Sequence, residues 1–385
     1  MRTVFQRLWI ATLLLYLASG MIFPSFSLYM VYRGLSELEI GLVASVATLA
    51  SLLSTVMLGL YSDAVADREM LQGSIGLVIS LVLMAYLSAD SFVEFILLHT
   101  LYMSFISPYA TLSGTIAMDY ISDHKGTFFG KFRTSGAVGW IIGTVLGGYI
   151  LDSFGYSRLF IITSIFFCAS AFLYIYGGVK QIGFKGFRKD YVKISFPTKV
   201  LANSKLYSLL LSVFTASIGN PAYYTFLPLF MTKDLEASLF ASYLAFSITP
   251  IAEIPAMTYF GFLSDKIGRK KVIIACLAAY PARFLLTGVS TTPFYAISVQ
   301  LLHGLTFGGL YVVSIAYITE LVEDKERGFA LSLYTIATNI GSFIGGYMLA
   351  YILTVTNFRT MYMIVALISS FSIPLFIVLE RIRLY

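Results

Sequence analysis

A chain of 385 residues that is 58% hydrophobic and only 12% charged, with a mean hydropathy of +0.83, has too little polar surface to cover a soluble globule of its size, so lipid must be its solvent. The net charge of +6 does not make it a nucleic-acid binder, because its basic residues are sorted to one side of the apolar runs and not gathered into one face. Cys168 and Cys276 fall inside apolar runs in different halves, which excludes a disulfide scaffold and makes them packing residues.

Taken in order, the apolar runs cover about 4–32, 36–60, 70–90, 92–118, 127–152, 157–178, 204–232, 237–262, 270–289, 292–319, 328–355 and 358–379. Most exceed the roughly 20 residues that a helix needs to cross the hydrocarbon core. The first has only Arg2 and Arg7 ahead of it and no convincing cleavage site, so it reads as a retained helix. Arg2, Arg7, Arg68, Lys125, Lys131, the basic residues from Lys180 to Lys205, Lys266, Arg269, Lys270, Lys271, Lys325, Arg327, Arg381 and Arg383 fall on one side. Arg33, Arg158, Lys233 and Arg359 fall on the other. The positive-inside rule then places both termini in the cytoplasm. The charged stretch 180–203 divides six spans from six, giving an N-terminal bundle over 1–179, a cytoplasmic linker and a C-terminal bundle over 204–385.

The two halves repeat each other. Gly59-Leu-Tyr-Ser-Asp63 with Arg68 recurs as Gly261-Phe-Leu-Ser-Asp265 with Gly268 and Arg269, and the two leading glycines are 202 positions apart. In such a loop the glycine permits close approach of helix ends, the aspartate accepts hydrogen bonds and the arginine pairs with a carboxylate, which would latch the halves on one face. Asp119, at the cytoplasmic end of the fourth span, is the natural partner for Arg68. The plainer reading is that the loops fix topology by charge alone. Gly139, Gly143 and Gly147-Gly148-Tyr149 in the fifth span are echoed by Gly341 and Gly345-Gly346-Tyr347 in the eleventh, small residues that let helix backbones meet.

The second loop, through Lys266-Ile-Gly268-Arg269-Lys-Lys, closely resembles the signature loop of the major facilitator superfamily, and the span count and central loop agree. The first copy departs from it, with Ala66 where a second glycine is usual and Asp67 before Arg68. The resemblance implies an all-α membrane protein of twelve transmembrane helices in two pseudo-symmetric six-helix bundles, which acts as a secondary transporter by alternating access and is monomeric.

Ionisable residues inside the spans carry most information, since each costs at least about 2.5–3.5 kcal/mol at the centre of an isolated helix. Arg283 lies about 20 Å in from the cytoplasmic start of the ninth span, His303 about 15 Å in from the outer end of the tenth, and Glu253 about 13 Å from the cytoplasmic end of the eighth. A lone buried glutamate is protonated, whereas a neighbouring arginine holds it ionised, so moving the arginine moves a proton. Glu253, Arg283 and His303 are therefore the candidate proton-coupling set. A static ion pair that fixes helix register is the alternative.

Phe129-Gly130-Lys-Phe-Arg133-Thr-Ser-Gly136-Ala-Val-Gly139-Trp140 resembles the fifth-span motif of lactose permease and the related phenylpropionate and nucleoside permeases. That likeness implies substrate contacts from Arg133 and Trp140, seven apart on one helix face. Arg133 reads equally as a topology charge and Trp140 as core. Thr306 stands where lactose permease has its proton-carrying carboxylate, and the fourth-span carboxylate has no clear equivalent, so lactose is a poor substrate candidate. Glu253 in Ala-Glu-Ile-Pro instead resembles the eighth-span glutamate of the phenylpropionate and nucleoside relatives. Asn220, Asn339 and His99 are polar pathway candidates, and Pro221 and Pro228 break the seventh span.

No phosphate loop, metal-ligand spacing or catalytic triad is visible, so no enzyme activity, cofactor or metal is expected. The expected activity is proton symport of a small organic solute. Proton-coupled efflux of hydrophobic compounds is the alternative within transport, and a non-transporting receptor with the same fold is the alternative outside it.

Overall fold

The computed structural model describes residues 2–65, 67–120, 125–178, 200 and 203–381. Ala66, His124 and nearly all of the 180–203 linker lie outside them. The described residues are almost entirely helical and include no β-strand.

Helices α1 (Thr3–Tyr32), α2 (Glu37–Ala64), α3 (Arg68–Tyr86) and α4 (Phe92–Asp119) are each long and apolar enough to cross a bilayer. Their starts follow local chemistry. The Asp67 side chain accepts from the Glu69 and Met70 amides at 3.0 Å each, and Ser91 with Glu94 forms a capping box ahead of α4. The stretch Lys125–Gly178 is continuous by hydrogen bonding over 54 residues, about 81 Å of helix against a core of about 30 Å. It is two spans, α5 (125–154) and α6 (156–178), divided at Gly155, where φ is 78°. Only glycine adopts that angle without strain.

The seventh span, α7, is not one helix. It runs as Ser204–Ser217, Asn220–Tyr224 and Leu227–Lys233, with Pro221 and Pro228 in the first turns of the second and third pieces. Each proline lacks an N–H and so cannot continue the preceding helix. Part of the released backbone is satisfied from outside, for the Tyr362 hydroxyl donates to the Ala222 carbonyl at 2.7 Å. Helices α8 (Leu239–Ile267), α9 (Arg269–Gly288), α10 (Pro293–Leu321), α11 (Arg327–Val355) and α12 (Phe358–Glu380) complete the twelve. Gly268, with φ at 95°, makes the turn between α8 and α9.

The helices gather into two compact units. One comprises residues 1–35, 46–194 and 238–247, and the other 36–45, 195–237 and 248–385. Each unit thus takes in a short piece of one helix, α2 or α8, whose remainder belongs to the other. Within the first, Gly143 of α5 lies so close to α1 that a Cβ there would overlap the Leu17 carbonyl oxygen. Within the second, Gly345 of α11 stands in the same relation to Ile218. The repeated small residues are therefore backbone contacts between helices.

Candidate functional site

In the second unit a polar cluster is built around Arg283, only 4% exposed. Its Nε and Nη2 donate to Gln300 Oε1 at 3.1 and 2.7 Å, and its Nη1 donates to Thr306 Oγ1 at 3.1 Å and meets His303 Nδ1 at 2.9 Å. The guanidinium also lies over the Tyr223 ring, 4.4 Å from its centroid. Among the described residues, the groups hydrogen-bonded to Arg283 are thus an amide, an imidazole and a hydroxyl, with no carboxylate among them. Gln300 is held in turn by its own donations to the Ala296 carbonyl at 2.9 Å and to Thr287 Oγ1 at 3.4 Å.

Gln300, His303 and Thr306, three residues apart in turn, share one side of α10, which is irregular there. A turn of 3₁₀ helix over Gln300–Leu302 is followed by a π segment over Gly304–Gly309 before regular α-helix resumes at Leu310. The glycines of that segment pack against α8. A Cβ on Gly304 would lie 2.7 Å from the Ala252 carbonyl, and one on Gly308 would lie 3.2 Å from Glu253 Cγ. Glu253 rests against the π segment, within electrostatic reach of Tyr223 and Tyr224, which also feel Arg283. His303 stacks on Tyr223 at 5.1 Å and on Phe307 at 5.3 Å between ring centroids.

The structure thus gathers Glu253, Arg283 and His303 on neighbouring helices of one unit. Tyr223 touches Arg283 and His303 and feels the Glu253 charge. Gln300 escaped the sequence reading. Its only signal is its place three residues before His303, on the same helical face.

The other expected residues are spread. Arg133 is exposed on α5. Trp140, half-buried, donates from Nε1 to the Phe246 carbonyl at 3.3 Å and lies tilted against the Phe23 ring, 5.7 Å between centroids. Asn220, at a break in α7, donates to Ser342 Oγ at 3.0 Å, and Asn339 donates to the Thr335 carbonyl of its own helix at 2.9 Å. His99 is buried, bonded at Nδ1 to the Tyr86 hydroxyl at 3.0 Å and packed on Phe26, and so is a core residue.

The twin loops are ion-paired, each within its own unit. Arg68 binds Asp63 at 2.5 Å and Asp119 at 2.8 Å. Arg269 binds Asp265 at 2.5 Å and Glu320 at 2.9 Å. Glu320 was missed, although it stands 51 residues after Arg269 just as Asp119 stands 51 after Arg68. The close helix approach expected at the loop glycines is not made at Gly59, where a Cβ would meet nothing within 4 Å, whereas one on Gly261 would touch Val312 of α10 at 3.4 Å.

A family model described as MFS_1 like matches residues 5–372, nearly the whole chain. The chain belongs to the MFS_1 like family. It is 25% identical over 345 residues to the uncharacterized transporter YwbF of Bacillus subtilis, covering 88% of this chain and 84% of YwbF. It is 24% identical to the multidrug resistance protein MdtG of Yersinia enterocolitica, over 94% of this chain and 90% of MdtG. The solved structure of the nucleoside transporter NupG superposes with a TM-score of 0.83 over 98% of this chain and 99% of NupG, at 17% identity, a likeness of fold. This MFS_1 like protein is therefore an integral, multi-pass membrane transporter with the twelve-helix major facilitator fold. Its relatives in sequence and structure are transporters, and no enzyme family is indicated.

Proposed function

We propose that the protein moves a small organic solute across the cell membrane by alternating access, coupled to proton symport, as a monomer with both termini in the cytoplasm. The observation that carries this reading is the Arg283 cluster. The permanently charged guanidinium of Arg283 on α9 is buried inside a membrane-spanning unit among neutral hydrogen-bond partners from α10, whose irregular segment lies against the ionisable Glu253. Burying such a charge is expensive unless something returns the cost. Glu253 is assigned as proton acceptor, and Arg283 with His303 as the groups that set its affinity. Arg133, Trp140, Asn220 and Asn339 are assigned to substrate, and the twin-loop residues to a conformational latch. One proton driven by about 100 mV and one pH unit gains roughly 3.7 kcal/mol, enough for roughly 500-fold accumulation.

A polar solute suits this cluster better than a hydrophobic one, and NupG, with the same fold, is a nucleoside transporter. Efflux of hydrophobic compounds remains the second reading, because MdtG relatives carry multidrug resistance in their names. A thermal-shift screen of the purified protein with sugars, nucleosides, aromatic acids and hydrophobic cations separates the two, since a ligand at 100 times its Kd stabilises by about 2.7 kcal/mol. The hit is then followed in proteoliposomes under an imposed pH gradient. Glu253→Gln is expected to abolish gradient-driven accumulation, and full accumulation by that variant would refute the proton assignment.

A further inference from the structure

Each twin-loop arginine is followed directly by a second charged residue, and the two successors have opposite signs. Glu69 follows Arg68, and Lys270 follows Arg269. The Glu69 side chain is 5% exposed. It accepts from Nη1 and Nη2 of Arg7 of α1, at 2.5 and 2.9 Å, and from the Tyr120 hydroxyl, next to Asp119 at the end of α4, at 2.5 Å. Arg7 Nη1 also donates to the Leu173 carbonyl of α6 at 2.9 Å. Burial and the Glu69 carboxylate push the Tyr120 phenol up to about 12, so it remains a donor at neutral pH.

The second unit holds the same device with the charges exchanged. Lys270 pairs with Glu380 of α12, and Glu380 accepts from the Tyr317 hydroxyl of α10 at 3.1 Å. Tyr317 lies one turn before Glu320, the partner of Arg269, on the same helix face. In both units, then, the third helix offers two consecutive charges. The first binds an acid on the fourth helix, and the second pairs with the terminal helix of the half, while a tyrosine at the fourth helix donates to the carboxylate of that pair, Glu69 in one unit and Glu380 in the other.

We propose that Arg7–Glu69–Tyr120 and Glu380–Lys270–Tyr317 are paired clasps whose residues act as positioning residues for Arg68 and Arg269, tying the first and last helices to the loops that hold the conformational latch. A buried carboxylate with three charge-assisted or hydroxyl bonds fixes the entry of α3 far more tightly than the exposed pairs of Arg68 do alone. Consecutive residues cannot move independently at a helix start, so release of Glu69 displaces Arg68. This inference rests on the transport reading, because a latch matters only if the protein changes conformation.

The test uses the full chain in lipid nanodiscs, with Cys168 and Cys276 replaced by alanine and spin labels at exposed Lys131 and Lys271, read by pulsed electron resonance without any substrate. R68A serves as the reference that shifts the ratio of the two distance populations. E69Q and Y120F, the latter losing one hydroxyl only, are expected to shift the ratio in the same direction. R7E/E69K, which copies the polarity of the second unit, is expected to restore it. If E69Q and Y120F lower the melting temperature but leave the ratio unmoved while R68A shifts it, the clasps are merely structural and the inference fails. If R68A itself moves nothing, the latch reading fails first.

Discussion

Arg283 Nη1 and His303 Nδ1 stand 2.9 Å apart inside the second unit. The guanidinium has only donors to offer, so Nδ1 must accept and the imidazole proton must sit on Nε2. His303 is thus a neutral acceptor in this structure, completing the shell of a cation and not competing with it. Removing it with His303→Ala leaves Nη1 bonded to Thr306 alone and is expected to cost about 1.5–3 kcal/mol, the worth of a hydrogen bond to a charged group. His303→Asn, which keeps an acceptor, is expected to recover part of that loss. Chemical or thermal unfolding in detergent measures both.

Gln300 holds two of the Arg283 nitrogens through one oxygen. Gln300→Leu is expected to be the most damaging single change in the cluster, about 3 kcal/mol or more, because it strands part of a buried charge. Gln300→Glu preserves the shape and supplies a permanent counter-charge. Under the proposed mechanism Gln300→Glu holds Arg283 in place, so the protein folds but loses accumulation against a gradient, a dissociation that proteoliposome uptake beside a melting curve reveals.

The repeated glycines divide into two kinds with opposite expected responses. Gly143→Ala and Gly345→Ala each force a methyl into a carbonyl of the facing helix and are expected to destabilise by about 1–3 kcal/mol or more. Gly59→Ala enters open space inside a helix and is expected to be neutral or stabilising by up to about 1 kcal/mol. A marked loss of stability from Gly59→Ala would mean that a helix packs there in some other state of the protein.

The twelve spans were legible because hydrocarbon imposes length and apolarity on every crossing, and the breaks in α7 because Pro221 and Pro228 cannot donate. The twin loops were legible as a repeat. Side-chain partners were not. Glu69 and Arg7 are 62 residues apart on different helices, and no sequence period announces their meeting. Gln300 is a single polar residue in an apolar run, and its sequence position does not show that it accepts from two nitrogens of an arginine on another helix. Glu253 and Arg283 both act electrostatically on Tyr223 and Tyr224, two aromatic neighbours that no sequence spacing marks.

Arg359 closes the C-terminal end of α9, donating to the Gly288 and Ser290 carbonyls at 3.2 and 2.8 Å, and its Nε lies 3.6 Å from Asp234. Burial raises the Asp234 carboxyl above its ordinary range, with Arg359 working in the opposite direction. Arg359→Ala removes a cation from a helix C-terminus and is expected to cost about 1–2 kcal/mol. It also lets the Asp234 value rise further. A carboxyl raised in the folded state binds protons that the unfolded chain does not, so it contributes stability that grows as pH falls. The variant should therefore recover stability on acidification through the carboxylate range more than the parent does, which melting curves at pH 7 and pH 5 compare.

The last expectation concerns Asp119 and Glu320, which stand at equal distance along the chain from their arginines and hold them on exposed faces. Exposed pairs of this kind contribute about 0–1 kcal/mol, so Asp119→Asn and Glu320→Gln are expected to leave the melting temperature nearly unchanged. Their effect should fall on the rate of interconversion between states, because each remaining arginine keeps one acid, Asp63 or Asp265, on its own loop and loses the one on the fourth helix of its half. Transport rates for the two variants, measured beside melting curves, are expected to change together and by similar factors. A change confined to one of them would show that the two loops, alike in sequence and in ion pairing, have diverged in use.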